Sequence, residues 1–519
     1  MQEREQAVPA CHPSMQKRLA SFDRVDQPDL EPLRPDPLVQ RLRREQKLND
    51  KAENYLVQEL HREVCELDRQ DRYLDTKLNR FNAYNMRILQ ELYWTFTRAM
   101  HFDIFDDWPV PSGVGAPHSN AGASERPLLD GAVPEAKRSS RILIDVTPTQ
   151  RWGGQRGIQR VVRELAKAAA RSGGGLPVFI INGQLRSYFR HPALPDEVEI
   201  AEGDTFLMPD SSQSFSDEYL PIMEAVSAKN GSNVIVLHDI IPLQYPAAVA
   251  PPAAEVFEPW MRKVVFASDA VVAVSRSAAE DFFNYAKTKH VRFHPGFRIG
   301  WWGLGADFAP AATDSASQIA KSLCADGAPP FFLSVGTLEP HKGYRVALAA
   351  FNKLWSAGVD VRYVIVGRPG WRWRAQETMI RESPEFGRRL FWLADADDAD
   401  LSLLYRHARR LVAASCAEGF GLPIVEAAHF GLPAIASDIP VFREIGNSAT
   451  RYFELLDSEA LAAAVREALT APKPEISCPP RSWREATRDL LELVTNRSYQ
   501  LAPEKAADGG ECARLGDRS

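Results

Sequence analysis

The sequence predicts an α/β protein made of two doubly wound parallel sheets, preceded by a long helical extension. Three observations carry this. From residue 141 onward, short apolar strand-like runs alternate with helix-length segments. The series begins again at Phe331 after a Pro- and Ala-containing stretch from Pro310 to Pro330. Residues 36–104 instead show helical spacing, with Asp71 and Asn85 as polar interruptions, and a chain of 519 residues is too long for one ordinary core.

The helical extension is assigned to residues 1–105. Leu60, Val64, Leu67, Leu74, Leu78, Phe81, Ile88 and Leu92 alternate at three- and four-residue spacing, a coiled-coil-like seam. Such a seam can pair with a second chain, fold back as a hairpin, or lie on the rest of the molecule. Arg41, Arg43, Arg44 and Lys47 cluster near its start, as a solvated face or a contact for anionic lipid. Residues 106–138, with Pro109, Pro111, Gly113, Gly115, Pro117 and Gly122, have the composition of a flexible linker. The extension is therefore expected to be dispensable for chemistry.

The first doubly wound domain is assigned to residues 139–309. Arg141-Ile-Leu-Ile-Asp-Val146 reads as a buried strand, followed by a Gly-containing loop and a helix carrying Ile158, Val161, Val162 and Leu165. Further strands are expected at 178–181, 205–208, 234–237 and 270–274. A connection over 310–329 leads to the second domain, 330–497, which ends in a helix; 498–519 is expected to be a disordered tail. Ligands of open α/β sheets bind at the carboxyl ends of the strands, so the two rows of loops should share one cleft.

The stretch Glu418-Gly-Phe-Gly-Leu-Pro-Ile-Val-Glu426 places two carboxylates around a Gly-rich turn that opens a helix. Pro423 suits the first helical position, because its missing N–H is one the helix cannot use. Gly421 and Leu422 then lie at a helix mouth suited to phosphate. Glu418 is expected in the loop before the helix and Glu426 in its first turn, where the dipole favours the ionised form. One acid suits a sugar hydroxyl, the other a ribose. Lys342, beside Gly343 in a strand-to-helix loop, suits a diphosphate; His238-Asp239 follows the apolar run Val234-Ile-Val-Leu237 at a strand end. The loop Arg151-Trp-Gly-Gly-Gln-Arg-Gly157 lacks dinucleotide-fingerprint spacing, and its helix carries Lys167 and Arg171 where an acid would be needed.

The Glu418–Glu426 stretch resembles the E-x7-E signature of retaining glycosyltransferases of the GT-B fold, family 4, the group 1, mannosyltransferase-like enzymes. The resemblance covers roughly residues 140–497. Phe331-Phe-Leu-Ser-Val-Gly-Thr-Leu-Glu-Pro-His-Lys-Gly343, Tyr363-Val-Ile-Val-Gly367 and Leu432-Pro-Ala-Ile-Ala-Ser-Asp-Ile-Pro-Val-Phe-Arg-Glu444 are similar to family segments, as are Gly157-Ile-Gln-Arg-Val-Val-Arg-Glu-Leu165, Ala270-Val-Val-Ala-Val-Ser275 and Gly303-Leu-Gly-Ala-Asp307. It implies that Glu418, Lys342 and His238 act at the reacting centre. It further implies that Glu426, Gly421, Leu422, Phe420, His341, Gly336 and Leu393 hold a GDP- or UDP-sugar. Gly153, Gly154, Gly157 and Trp152 would meet the acceptor or the phosphates. His341 stands where the family often has a second fixed cation, so its charge is expected to depend on pH.

The resemblance also implies hexose transfer with retention, an acceptor hydroxyl attacking the face the nucleotide leaves, in surface polysaccharide or lipopolysaccharide synthesis. The D-x-D pair Asp395-Ala-Asp397 lies in the base-side loop away from Lys342, so no metal or other cofactor is expected. The expected partners are the nucleotide sugar and a saccharide or lipid-linked acceptor, with homo-oligomer formation and peripheral membrane contact left open. A net charge of -6 argues against nucleic acid. Six cysteines without a C-x-x-C pair argue against structural zinc or a disulfide framework and for a cytoplasmic setting. A catalytically inactive scaffold, an epimerase and a phosphorylase on the same fold are the competing readings.

Overall fold

In a computed structural model the described residues are 44, 46–63, 66, 126–130, 141–153, 157–249, 251–291, 293, 294, 296–308, 315–476 and 480–503. Most of the expected seam, most of the linker, and Gly154 lie outside them. The chain divides into a unit Met1–Lys47, of which residues 44, 46 and 47 are described and helical, and a unit Leu48–Ser519.

The first sheet has the order β4-β3-β2-β1-β5-β6-β7-β8. Its strands are β1 (Ile142–Asp145), β2 (Leu176–Ile181), β3 (Gln184–Ser187), β4 (Glu197–Val198), β5 (Thr205–Met208), β6 (Ser232–Leu237), β7 (Ala270–Ala273) and β8 (Arg298–Trp301). β1 is fully buried, as a parallel strand covered on both faces must be. Ile142, Leu143 and Ile144 pair with Thr205, Phe206 and Leu207 of β5. β2 and β3 form an antiparallel hairpin. Asn182 and Gly183, both at positive φ, make its two-residue turn.

The loop expected after β1 is instead a short helix, α1 (Thr147–Trp152), because Pro148 opens it and Asp145 accepts the Thr147 amide at 3.2 Å. Helices α2 (Ile158–Ser172) and α3 (Arg276–Thr288) flank the sheet. The expected linker is pinned at 126–130: Leu129 is buried, and its amide and that of Arg190 exchange bonds with Arg190 and Pro127 carbonyls.

The second sheet has the order β11-β10-β9-β12-β13-β14. Its strands are β9 (Phe331–Val335), β10 (Arg362–Val366), β11 (Leu390–Leu393), β12 (Leu411–Ala413), β13 (Ala434–Ser437) and β14 (Arg451–Phe453), all parallel. Among its helices are α4 (Tyr344–Ser356), α5 (Arg374–Arg381), α6 (Asp398–His407) and α7 (Leu422–His429). The strand order reverses direction between β9 and β12, and the Lys342 and Glu418 loops leave these two neighbouring strands. A topological switch point of this kind opens a crevice between diverging loops.

Domain boundaries differ from the sequence reading where the chain crosses over. Within the expected connection, Gln318–Leu323 is helical, and the Ser317 amide donates to Asp400 of α6. The last helix, α8 (Trp483–Thr495), packs on α2 of the first domain, burying Leu490, Leu491, Leu493 and Val494 beside Ile142, Ile144 and Val161. The expected disordered tail begins too early at 498: Leu501 bridges Ile299 of β8, and Gln500 bonds Trp301.

Residues 48–63 form a helix that is not decoupled from the body. Ala52, Tyr55 and Leu56 are buried in one cluster with Ile241, Tyr245 and Val249 of the first domain and Val346, Cys416 and Ala417 of the second. Glu59 pairs with Arg345 at 2.6 Å, and Glu63 accepts the Ala375 amide at the start of α5 at 2.7 Å. Tyr245 donates to Asn49 at 3.0 Å.

Candidate functional site

The site is built first from a glycine that only glycine can be. Gly343 has φ 70°, and a Cβ there would lie 2.0 Å from the Ala414 carbonyl oxygen. The turn Pro340–Lys342 therefore presses directly on the loop after β12, bringing Lys342 to the start of the E-x7-E stretch. The His341 carbonyl accepts the Cys416 amide at 2.8 Å, which fixes the same approach from the other side.

Lys342 Nζ donates to both carboxylate oxygens of Glu418, at 2.8 and 2.9 Å, and Ser415 donates to one of them at 2.8 Å. Burial pulls the lysine's pKa down, but Glu418 and Glu339 outweigh it and hold the value above the usual range. The ammonium is thus a fixed cation. A small cleft beside it is lined by Ser334, Tyr344, Ser415, Glu418, Gly421 and Pro423. Gly336, at φ 153°, does not line it, but its carbonyl accepts from the Tyr344 hydroxyl at 2.6 Å and so holds a lining side chain.

Gly421, at φ 97°, caps α7, and Pro423 stands at the second helical position rather than the first. The mouth of α7 therefore opens beside Lys342, with N–H groups that the helix itself cannot satisfy. Phe420 and Leu422 do not line this cleft. Both pack with the first domain's core, Phe420 fully within it.

Glu426 is the fifth residue of α7, in its second turn, with 6 % exposure. Burial, not the dipole, dominates its titration and raises its pKa, with Arg160 and Tyr405 opposing. Tyr405 donates to one oxygen at 2.8 Å; Arg160 of α2 meets the other at 3.1 Å. Arg160 lies in a segment singled out by resemblance, yet no sequence pattern paired it with Glu426, since the two residues stand on different domains.

His238 lies at the end of β6, where it was expected. Its Nε2 donates to the Pro209 carbonyl at 2.8 Å, and burial pushes its pKa down to about 4. It is neutral near pH 7. Its carbonyl abuts the signature loop: a Cβ on Gly419 would lie 1.9 Å from that oxygen. His341 departs from expectation. It is buried, faces Glu339 at 3.5 Å, and burial drives its pKa well below the usual value, which disfavours the second cation expected there.

The remaining residues are spread out. Leu393 ends β11, and its carbonyl is taken by the Gly367 amide. Trp152 is exposed at the end of α1 but leans on Phe215, ring centroids 4.8 Å apart. Gly153 and Gly157 have positive φ and open space where a Cβ would stand. Among the described residues no cluster of three or more His, Cys, Asp or Glu side chains could hold a metal ion. No helix among them is long and apolar enough to cross a membrane.

The profile of the family "Glycosyl transferases group 1" matches residues 316–490, the segment that carries Lys342, Glu418 and Glu426. The second domain thus resembles the group 1 glycosyl transferases. The chain is similar to the serotype-specific mannosyltransferase WbdA of Escherichia coli, 32 % identical over 380 residues, 69 % of this chain and 45 % of the relative. It is also similar to the O-antigen chain mannosyltransferase B of Escherichia coli, 32 % identical over 160 residues, 30 % of this chain and 38 % of the relative. The chain spans less than half the length of either. Among solved structures, a sucrose-phosphate synthase from Thermosynechococcus elongatus aligns with TM-score 0.47 and 17 % identity, covering 69 % of this chain and 98 % of that one. The two Rossmann-like parallel sheets fit the two-domain α/β architecture of the GT-B fold.

Proposed function

We propose that this protein is a glycosyltransferase that moves a hexose of the mannose or glucose type from a GDP- or UDP-sugar to a saccharide hydroxyl, with retention at the anomeric carbon, in surface polysaccharide synthesis. The single observation that carries the reading is Lys342: a fixed ammonium, chelated by Glu418, beside the mouth of α7 at a switch point. Its charge and the helix amides offset negative charge that develops on the departing diphosphate. Glu418 is free to hold a sugar hydroxyl through the lone pairs Lys342 and Ser415 leave open. The acceptor oxygen bonds to the anomeric carbon as the carbon–phosphate-oxygen bond breaks, and the acceptor proton passes to the leaving phosphate oxygen. The names of the relatives support the mannose class and the polysaccharide setting.

The test is a panel of GDP- and UDP-hexoses with short saccharide acceptors, read by nucleotide release and by the anomeric configuration of the product. Acceptor-dependent release with retained configuration is expected, falling by roughly 10²–10³ in Lys342→Met. An inverted product would refute the mechanism. Donor binding with no transfer to any acceptor would favour the inactive scaffold, and a donor changed at one sugar carbon would favour the epimerase.

A further inference from the structure

The carboxylate that the sequence assigns to the donor's ribose is already occupied. Glu426 has Tyr405 on one oxygen and the Arg160 guanidinium on the other, and lies almost wholly out of solvent. Arg160 belongs to the first domain and Glu426 to the second, so their contact is also a bridge across the cleft. The guanidinium is held on its far side by the face of Phe308, 3.8 Å from the ring centroid, and Phe308 in turn packs edge-on against Tyr405. Arg160 is thus seated in an aromatic slot built for a cation. Meanwhile Glu426 is absent from the wall of the cleft beside Lys342.

A ribose diol donates hydrogen bonds to a carboxylate, as Arg160 does, and the oxygen that Arg160 covers is the one turned toward the first domain. Resting on the nucleotide-sugar reading of the site, we propose that Arg160 is a positioning residue that competes with the ribose for Glu426, so that nucleotide binding breaks an interdomain bridge. The first domain thereby senses occupancy of the nucleotide site. Release of the nucleoside diphosphate re-forms the bridge, which assists product departure.

The competition predicts an inverted effect: removing a cation from the site should strengthen binding of an anionic ligand. In wild type, the gain from the ribose is offset by the lost bridge, so GDP or UDP should bind little better than its 2′,3′-dideoxy counterpart. In Arg160→Gln the ratio of the two dissociation constants should rise roughly tenfold, the size of one charge-assisted hydrogen bond. Arg160→Lys should stay near wild type. Phe308→Leu, which loosens the slot and leaves Glu426 untouched, should move the ratio the same way by a smaller factor. Glu426→Gln should leave the ratio near one, and Arg160→Gln should no longer raise it in that background.

A ratio that falls or stays constant in both Arg160→Gln and Phe308→Leu overturns the competition while leaving the nucleotide site intact. If neither GDP nor UDP binds wild type measurably, the nucleotide-sugar reading itself falls, and the inference with it. Isothermal calorimetry of all variants with the ribo- and dideoxy-nucleotides separates these results.

Discussion

Asp239 accepts the Ile241 amide at 3.0 Å just after β6, within electrostatic range of Lys342, Glu418 and Glu339. Burial lifts its pKa from 3.8 to about 6, against the pull of the Ile241 bond and Lys342. Because the folded value lies above the unfolded one, its contribution to stability is full below pH 3.8 and is lost as pH rises through about 6. The same sign governs the donor: an ionised Asp239 adds negative charge beside the cation that must meet a diphosphate. Affinity for a nucleotide sugar is therefore expected to fall a few-fold between pH 5 and pH 8, about the size of one partly screened charge. Asp239→Asn keeps the Ile241 bond and should flatten the profile, whereas His341→Gln should leave it unchanged. A profile flattened by His341→Gln instead would return the titration to the histidine. The sequence pointed to His341 because it stands next to Lys342; what it could not convey is that Gly343 and Ala414 clamp that turn and shut the imidazole away from the cleft. Lys342 and Glu418 were legible because their loops leave neighbouring strands, a fact of topology. Arg160 was not, because its partner is reached only by closing two domains.

The helix of residues 48–63 shows what hydrophobic periodicity misses. Its inward face is Ala52, Tyr55, Leu56, Glu59 and Glu63, so two of the buried positions are carboxylates, and Leu60, the first residue of the expected seam, is only half-buried. A search for apolar spacing starts reading where this face turns acidic. The glutamates have partners that justify their burial: Glu59 meets Arg345, and Glu63 serves as a distant cap for α5. Burial nonetheless raises the pKa of Glu63. Residues 48–63 are therefore expected to support the body, in contrast to the reading of the extension as dispensable for chemistry. Leu56→Ala is expected to cost about 2–5 kcal/mol and Glu63→Ala about 1–2 kcal/mol, from the cavity and the uncapped helix respectively. Urea denaturation should show lower midpoints for both, and a chain starting at Arg138 should be insoluble or markedly less stable. Unchanged midpoints would mean the helix rests on the body without holding it. The β2–β3 hairpin was likewise present in the sequence as Asn182-Gly183 between apolar runs, a signal masked by the expectation of purely parallel strands.

At the scale of the whole molecule, the two domains are joined by contacts that converge on the signature loop. Ser275 of the first domain donates to the Gly419 carbonyl at 2.6 Å. Glu444 of the second accepts the Arg276 and Ser277 amides at 2.7 and 2.9 Å, capping α3 from across the cleft. Phe420 buries itself among Val272, Val274 and Trp302. The tightest of these approaches is Gly419 against the His238 carbonyl, where an added Cβ would stand 1.9 Å away from the oxygen. Both partners there are backbone, so neither can rotate aside; the domains must separate instead. Gly419 has no left-handed φ, and alanine is sterically acceptable to its own chain. Gly419→Ala should therefore leave each domain folded while moving Glu418 and Lys342 away from His238. A displacement near 1 Å at a reacting centre costs about 10²-fold in turnover, and nucleotide affinity should change far less, since Lys342, Glu418 and α7 move as one body. Small-angle scattering should report a larger radius of gyration, with far-UV circular dichroism unchanged. Wild-type turnover in Gly419→Ala would show that transfer does not require the interdomain approach seen here, and that the catalytic geometry is complete within the second domain.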